Sequence, residues 1–288
     1  MTVASARACA IDEARLARRI GMHALRSLHA ELVLHPKPGL VSPRDCGAHD
    51  DMCAGMFMRS LFALRRYFPA IARAGIARLP FASMRALGRQ AEAGMLAATG
   101  GVNTHRGAIF ALGLLAAAAG RAAREGAAPS DAALREAVST WRGELAASAV
   151  DIASPASHGR LMAARYGAAG ARGEAARAFP AVFGVALPAL RCALAAGVGE
   201  NDAQVHALFA LMASVEDTNV LYRGGPDALR DLQRHAADLI ASGSVLRHGW
   251  HARAERLHRH CCAARISPGG SADLLAAAWF VHRLQSDA

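Results

Sequence analysis

Apolar residues recur at helical spacing along most of the chain. In residues 11–33, for example, Ile20, Leu28 and Leu32 fall on one face of a helix, and polar residues occupy the other face. Pro36 follows shortly afterwards, and a proline cannot continue an α-helix. The pattern therefore predicts an amphipathic first helix that ends just before the proline.

The same reading predicts helices over most of the remaining sequence. We expect them over 11–33, from about 49 to a stop at 67–69, and over 81–98, 104–119, 131–151, 181–196, 202–222, 226–242, 250–265 and 271–285. Between them we predict an irregular loop at 35–48, a linker at 121–130 and a functional loop region, rich in Gly, Ser and Pro, at 153–180.

Composition supports an all-α fold. Hydrophobic residues make up 53% of the 288 residues, and alanine, the best helix former, dominates them. Neither half of the chain has a composition of its own, so the linker at 121–130 joins helices and not domains. We predict one multi-helix globular domain over residues 1–288.

Charge and cysteine usage narrow the partners and the compartment. The net charge is +10, which favours anionic partners, but there is no basic run and aromatics are only 5%. We therefore expect no nucleic acid. Six cysteines without a CxxC pair indicate reduced thiols and a cytoplasmic protein. The apolar run 107–120 is too short to span a bilayer, and the N-terminus does not resemble a signal peptide.

Lys37 is the only lysine among 33 basic residues. Lysine is a compact point charge, whereas arginine is a planar fork, so a phosphate oxygen could require the lysine. Asp50 and Asp51 follow closely and are hard carboxylates suited to Mg²⁺. Together they suggest a polyphosphate substrate. The alternative is that Lys37 is a chance survivor on a polar loop.

A second segment, residues 99–107, reads TGGVNTHRG. Its paired glycines free the backbone, Thr104 can cap the following helix, and Asn103, His105 and Arg106 can donate to an anion at the helix N-terminus. An ordinary glycine break with a threonine cap explains the segment equally well.

Three further segments carry candidate chemistry. Residues 157–174 contain Ser-His-Gly and a glycine-rich stretch ending in Glu174, which reads as a close-approach loop or as a flexible connector. Glu216 and Asp217 interrupt an apolar helical stretch, which favours metal binding over a solvated face. Ser271 is a predicted N-cap that could also present N–H groups to a ligand. The histidines and cysteines at 248–262 match no zinc spacing, and we interpret them as a solvated amphipathic helix.

Taken together, these segments resemble the triphosphoribosyl-dephospho-CoA synthase family. The matching blocks, in order over residues 31–280, are ELxLxPKPGLV, GAHDDM, GGVNTHRGAIF, SHG, YGxxGARGEA, FP, DTNV and SPGGSADLLA. Each block alone is weak, but the ordered set is specific. Two positions depart from the family: Cys46 stands where an asparagine is expected, and Arg106 where lysine is common.

The resemblance implies an all-α transferase. ATP and 3′-dephospho-CoA would give 2′-(5″-triphosphoribosyl)-3′-dephospho-CoA and adenine, with inversion at the ribose carbon and hence in-line attack in one ternary complex. A phosphoribosyl-dephospho-CoA transferase would pass the product to an acyl carrier protein, of malonate decarboxylase more than of citrate lyase. An oligomer is possible.

The resemblance also suggests roles for individual residues. Glu174 is the candidate general base, Glu31 the second choice, and His158 the group that assists the leaving adenine. Lys37, Asn103, Thr104, His105 and Arg106 would hold phosphate oxygens. Gly170, Arg172, Asn219 and Ser271 would complete the substrate site. Asp50, Asp51 and Asp217 would bind Mg²⁺.

Two other function classes fit the same residues. A Mg²⁺-dependent all-α hydrolase of nucleotides or ADP-ribosyl groups would use the carboxylates with water as the nucleophile. A non-catalytic basic helical protein would bind nucleic acid, with a steep salt dependence.

Overall fold

A computed structural model describes residues 3–147 and 158–287, and every regular element in these two ranges is helical. The helices are α1 (Val3–Val33), α2 (Ala54–Leu64), α3 (Tyr67–Ile76), α4 (Phe81–Ala98), α5 (Arg106–Arg124), α6 (Asp131–Ser139), α7 (Arg142–Ala147), α8 (His158–Tyr166), α9 (Gly170–Ala176), α10 (Leu187–Ala195), α11 (Glu200–Ser214), α12 (Thr218–Ala241), α13 (Trp250–Ala263) and α14 (Gly269–Ser286). A π-helical turn (Val182–Ala186) precedes α10, and a 3₁₀ turn (Ser244–Leu246) precedes α13. The predicted all-α, multi-helix fold is confirmed.

The core is built around α5, which packs against α3, α6 and α14. Small residues allow the closest approach: a Cβ added at Gly75 would lie 2.0 Å from the Ala117 carbonyl oxygen, and one at Gly120 would lie 2.3 Å from the Ala72 carbonyl oxygen. The backbones of α3 and α5 therefore touch, and no larger residue fits at these two glycines.

α5 is long and apolar enough to cross a membrane by length and composition, and 72% of that stretch is buried by the rest of the protein. It is the one helix of the described residues that passes this test. Because its neighbours cover it, α5 has the properties of a core helix in a globular protein.

A second group of helices, α10, α11 and α12, packs beside α14, and α13 packs on α12. α14 also contacts α1 and α5, so it joins the two groups. Its first turn consequently lies among the ends of several other helices. This arrangement positions the polar residues described below.

The irregular loop predicted at 35–48 is confirmed as non-helical. It folds back over the connection between α13 and α14: a Cβ at Gly39 would lie 2.2 Å from the Ile266 carbonyl oxygen, and Gly39 has a φ of +70°. Arg223 also donates from Nη1 to the Ala48 carbonyl oxygen at 3.1 Å. These contacts hold Lys37 against the protein interior.

Several predicted helix ends are wrong. The second helix begins at Ala54 and not near residue 49, and Tyr67-Phe68-Pro69, predicted as a stop, opens α3. A proline in the first turn of a helix needs no intrahelical N–H partner, so it marks a start here. α5 continues to Arg124, which shortens the predicted linker, and the predicted helix 131–151 is divided into α6 and α7.

The predicted loop region 153–180 also contains regular structure, because α8 and α9 lie within it. The predicted helix 202–222 is broken at residues 215–217, so the acidic pair is not inside a helix. Asp217 is instead the N-cap of α12, with a φ of −71° and a ψ of 109°. α12 itself has a kink at Gly225, whose φ of 72° lies outside the helical region.

Candidate functional site

Charged and polar side chains from five separate parts of the chain meet beneath the loop that follows α1. They come from the last turn of α1, from that loop, from the residue before α5, from the N-cap of α12 and from the first turns of α14. We call this group the buried charge cluster: Glu31, Lys37, His105, Asp217 and Asp273.

Lys37 and Glu31 form a buried ion pair. Lys37 Nζ donates to Glu31 Oε1 at 2.6 Å and to the Glu31 carbonyl oxygen at 2.6 Å. Burial lowers the pKa of Lys37, and the negative charges of Glu31 and Asp45 oppose that change. The alternative of an idle surface lysine is therefore wrong, since the side chain is almost fully enclosed. Two of its three protons are used by Glu31, which leaves one for a ligand.

His105 lies next to this pair and is neutral. Its Nδ1 is hydrogen-bonded to Ser60 Oγ at 2.6 Å, and the edge of its ring meets Phe57. Burial, with a smaller effect from the Lys37 charge, lowers the pKa of His105 to about 3. Its Nε2 is buried and has no hydrogen-bond partner among the described residues. The predicted phosphate contact by His105 would therefore come from an uncharged imidazole.

Asp217 receives hydrogen bonds at the N-termini of two helices. Its Oδ1 accepts from the Asn219 N–H at 3.0 Å, which caps α12. Its Oδ2 accepts from the Ser271 N–H at 2.8 Å and from Ser271 Oγ at 3.0 Å, in the first turn of α14. Burial raises the pKa of Asp217, and these hydrogen bonds, with one from the Gly270 N–H, oppose that rise. The positive ends of both helices stabilise the carboxylate.

Ser271 and Asn219 also have structural roles at the starts of α12 and α14. α14 begins at Gly269, so Ser271 is not its N-cap. Ser271 instead fixes Asp217 by two donors. The Asn219 side chain lies against Gly269, where an added Cβ would come 2.7 Å from Asn219 Nδ2. Both predicted substrate-binding residues connect the starts of α12 and α14.

Asp273 occupies the N-terminus of α5. A Cβ at Gly107 would lie 2.0 Å from Asp273 Oδ2, so only glycine allows this approach. The Ala108 N–H donates to the carboxylate. Burial, and then the charges of Glu31 and Asp217, raise the pKa of Asp273 well above 3.8. The residue as a whole is partly accessible.

The segment 99–107 supplies the start of α5. Asn103 Oδ1 accepts from the N–H of Arg106, the first residue of α5, at 3.0 Å. The N-cap position belongs to His105, so the predicted cap by Thr104 is wrong. Thr104 Oγ1 is buried without a partner among the described residues. Arg106 is paired with Glu92 at 2.5 Å between Nε and Oε1. Buried polar atoms are normally satisfied, so Thr104 Oγ1 and His105 Nε2 indicate a binding site for a polar ligand.

The residues predicted from the glycine-rich stretch lie on α8 and α9. Glu174 Oε2 accepts from the Ala181 N–H at 3.0 Å, and Oε1 lies 3.4 Å from Arg177 Nη2. This carboxylate is therefore engaged in holding the chain after α9. Gly170 approaches the start of α12, where an added Cβ would lie 3.4 Å from Thr218 Cγ2. Arg172 lies on α9 between them.

His158 is the first residue of α8, and its side chain lies outside the described part of the structure. Its predicted role therefore has no geometry to support it. Ser157, the first residue of the Ser-His-Gly block, lies in the undescribed range 148–157.

Asp50 and Asp51 lie on the surface. Asp50 Oδ2 is 2.9 Å from Arg265 Nη2, and Asp51 Oδ1 is 3.6 Å from His49 Nδ1. Their side chains are 81% and 63% exposed. Asp217, in contrast, is buried, so the three predicted ligands do not form one compact metal site in this structure.

The donor sets differ in their fit to Mg²⁺. The oxygens of Asp217 are already used by N–H and O–H donors, which favours a role in fixing helix ends over direct coordination. Asp50 and Asp51 retain exposed oxygens, the ligand type that Mg²⁺ prefers. Among the described residues, the one group of three ligands within 4.8 Å of each other is Asp231, His235 and His260, on the surface of α12 and α13.

Asp273 is the member of the cluster that sequence reasoning missed. It ends the block SPGGSAD, in which Ser271 drew attention as a cap. A signal was present, since an aspartate follows the cap by two residues and precedes the apolar run Leu274-Leu275-Ala276. A carboxylate beside inward-facing residues is costly and usually has a partner or a function.

Comparisons with known proteins show which family the chain is similar to. A family model described as ATP:dephospho-CoA triphosphoribosyl transferase matches residues 17–288. The relative from Azotobacter vinelandii is 42% identical over 281 residues, covering 96% of this chain and 94% of its own length.

A relative from Acinetobacter calcoaceticus is 36% identical over 278 residues, covering 96% of this chain and 94% of its own length. One from Pseudomonas putida is 39% identical over 280 residues, covering 94% and 96%. All three are named probable 2-(5''-triphosphoribosyl)-3'-dephosphocoenzyme-A synthase. No solved structure matches the chain significantly.

Proposed function

The chain belongs to the ATP:dephospho-CoA triphosphoribosyl transferase family, and from this membership we propose how its buried site carries out the reaction. The protein is a transferase of the triphosphoribosyl-dephospho-CoA synthase type. We propose that ATP and 3′-dephospho-CoA are its substrates and that adenine is released. The observation that carries the proposal is the meeting of Glu31, Lys37, His105, Asp217 and Asp273 at three helix N-termini.

The reaction needs a charged, enclosed site. The 2′-hydroxyl of dephospho-CoA attacks the ribose carbon of ATP while the bond to adenine breaks, so positive charge develops on the ribose. Fixed carboxylates stabilise such a centre most strongly where water is excluded. Glu31 and Asp217 are fixed by hydrogen bonds and buried, which suits them to this task.

Glu31 is the better candidate for the general base. It faces the other carboxylates of the cluster, because its charge contributes to the raised pKa of Asp273. Glu174, the first choice from the sequence, uses both oxygens to hold Arg177 and the Ala181 N–H. A base must reach the hydroxyl proton with an oxygen of its own. Lys37 engages Oε1 of Glu31, whereas both oxygens of Glu174 are engaged.

We propose that the start of α5 receives the triphosphate. Hydrogen bonds can come there from Thr104, from the neutral His105 and from the remaining proton of Lys37. Arg106, which is partly exposed, adds a positive charge. Mg²⁺, when bound, would neutralise part of the triphosphate charge. Asp50 and Asp51 are the predicted ligands whose exposure fits a hydrated Mg²⁺.

We propose that the product passes to a phosphoribosyl-dephospho-CoA transferase that modifies the acyl carrier protein of malonate decarboxylase, in the cytoplasm. The relatives from Acinetobacter calcoaceticus and Azotobacter vinelandii are matched over almost their whole length. Transfer assays with the purified carrier proteins of malonate decarboxylase and of citrate lyase would separate the two destinations.

Mass spectrometry of the purified protein with ATP, 3′-dephospho-CoA and Mg²⁺ tests the reaction. We expect one adenine for each triphosphoribosyl adduct. Release of ADP or pyrophosphate would overturn the proposal. Ribose triphosphate formed without dephospho-CoA would identify a hydrolase instead.

A further inference from the structure

Asp273 lies against the first turn of α5 and is partly accessible to a ligand. Gly107 leaves room for the carboxylate against the first turn of α5, and the Ala108 N–H donates to it. The surrounding residues Glu31, Lys37 and Asp217 are buried, whereas Asp273 remains partly accessible. Of the three cluster carboxyl groups, it is therefore the one most open to a substrate.

The charges around Asp273 are mainly negative. Glu31 on α1 and Asp217 at the start of α12 both disfavour its ionised form. The cation of the cluster, Lys37, is hydrogen-bonded to Glu31, and His105 before α5 is neutral. Because burial acts in the same direction, the pKa of Asp273 is raised well above 3.8. Carboxyl groups held in different environments are the arrangement that separates the acid and the base of a glycosyl-transfer site.

Breaking the bond between ribose and adenine would leave a negative charge on the base unless a proton is supplied. Resting on the proposed function, we propose that Asp273 is the general acid that protonates the departing adenine. The bond from the ribose carbon to adenine N9 breaks, and the bond from that carbon to the 2′-oxygen of dephospho-CoA forms. Glu31 takes the hydroxyl proton, Asp273 gives a proton to a ring nitrogen of adenine, and solvent exchange resets both carboxyl groups.

This assignment replaces His158 in the step that assists the leaving group. It also separates two roles that the sequence alone could not separate, because Glu31 and Asp273 lie more than two hundred residues apart in the chain. Asp217 stays a positioning and electrostatic residue, since Ser271 and Asn219 occupy its oxygens.

A leaving group that needs no proton gives the sharpest test. In N7-methyl-ATP the base is already cationic and departs as a neutral molecule. With ATP, Asp273→Asn should lower the rate of base release by about 10²–10⁴-fold, the usual contribution of a general acid. With N7-methyl-ATP, the same variant should retain a rate within about tenfold of the wild type, because acid catalysis is not needed. Asp227→Asn on the exposed surface of α12 is the control and should behave as the wild type with both nucleotides.

The pH dependence of the wild-type rate is a further readout, and it does not depend on the folding of the variant. The wild-type rate with ATP should fall as the pH rises through the pKa of Asp273, because the required proton is lost, whereas the rate with N7-methyl-ATP should not show this fall. If Asp273→Asn fails to fold, this comparison still decides the matter. Equal alkaline limbs with both nucleotides would overturn the proposal.

Stability gives an independent check on the environment of Asp273. Its folded-state pKa is above the unfolded one, so the contribution of Asp273 to stability is fully present at low pH and is lost as the pH rises from 3.8 through the folded-state value. Asp273→Asn should therefore unfold at a higher temperature than the wild type at neutral pH, and with a weaker dependence on pH. A lower unfolding temperature with unchanged pH dependence would contradict the environment described here.

The two proposals fail in different ways. If the wild type releases no adenine with dephospho-CoA, the proposed function is wrong. If the wild type is active and Asp273→Asn loses the same factor with ATP and with N7-methyl-ATP, only the acid role of Asp273 is wrong.

Discussion

The buried charge cluster and the exposed acidic turn at residues 49–51 show two ways of placing carboxylates. In the turn, Asp50 and Asp51 are neighbours in sequence, lie in solvent and pair with Arg265 and His49. In the cluster, the carboxylates come from distant blocks; Glu31 and Asp217 are buried, and Asp273 is partly accessible. The turn is conspicuous in the sequence, whereas the cluster exists only once the chain has folded.

The two arrangements differ in the free energy needed to place a carboxylate there. An exposed carboxylate remains hydrated, and an exposed ion pair contributes only about 0–1 kcal/mol. A buried carboxylate loses its hydration and needs fixed donors, which the Lys37 ammonium and the first turns of α5, α12 and α14 supply here. Because burying a carboxylate carries a large desolvation cost, a buried carboxylate is more informative about function than an exposed pair of carboxylates.

The largest expected effect is on the ion pair of the cluster. Glu31→Gln leaves the Lys37 ammonium buried without a negative partner, so we expect a loss of about 3–5 kcal/mol in the free energy of unfolding. Adenine release should be lost as well, because the proposed base is removed. Urea denaturation and an adenine assay measure the two effects.

A double variant separates stability from catalysis. Replacing both Glu31 and Lys37 by methionine removes the unpaired charge, and such replacements are often neutral or stabilising by about 1–4 kcal/mol. We expect stability to recover while activity stays lost. Recovery of both would show that the pair has only a structural role.

A smaller effect is expected at the glycine that admits Asp273. Gly107→Ala would place a Cβ 2.0 Å from Asp273 Oδ2 and so displace the carboxylate. Overpacking of this kind costs about 1–3 kcal/mol, and a shift of about 1 Å at a reacting group can lower the rate about 10²-fold.

Gly94→Ala is the matched control, because nothing lies within 4 Å of its added Cβ. Gly94 lies inside α4, where alanine is favoured over glycine by about 0.5–1 kcal/mol. We expect this control to be slightly more stable and fully active. Similar behaviour of the two alanine variants would show that Gly107 is not needed for the position of Asp273.

The smallest effect on stability is expected in the exposed turn. Replacing both Asp50 and Asp51 by asparagine should change the free energy of unfolding by less than about 0.5 kcal/mol, since both side chains are solvated. If they hold Mg²⁺, the Mg²⁺ concentration for half-maximal activity should rise several-fold. A Mg²⁺ titration of activity measures this change, and an unaltered titration would remove the turn from the metal proposal.

The helical fold could be predicted because periodic apolar residues identify helices directly. α4, for example, has the predicted bounds of 81–98. The errors lie at residues whose meaning depends on tertiary contacts. The sequence pattern predicts a helix stop at Pro69, whereas Pro69 lies in the first turn of α3. The pattern also predicts Asp217 inside a helix, whereas Asp217 caps α12.

The site could be predicted in part. Lys37 and Asp217 were singled out by their unusual sequence surroundings, and both lie in the cluster. Asp273 was missed because its altered pKa depends on Glu31 and Asp217, whose proximity no local pattern encodes. For Glu174, the hydrogen bond from the Ala181 N–H cannot be read from the glycine-rich sequence around it.

The most direct test of the central claim compares adenine release by Asp273→Asn and by the Asp50→Asn, Asp51→Asn double variant at saturating Mg²⁺, ATP and dephospho-CoA. If the buried cluster carries the chemistry, the first variant should be slower than the wild type by about 10²-fold or more. The second variant should retain a rate within a few-fold of the wild type. Normal release by Asp273→Asn, together with loss of release in the double variant, would contradict the account.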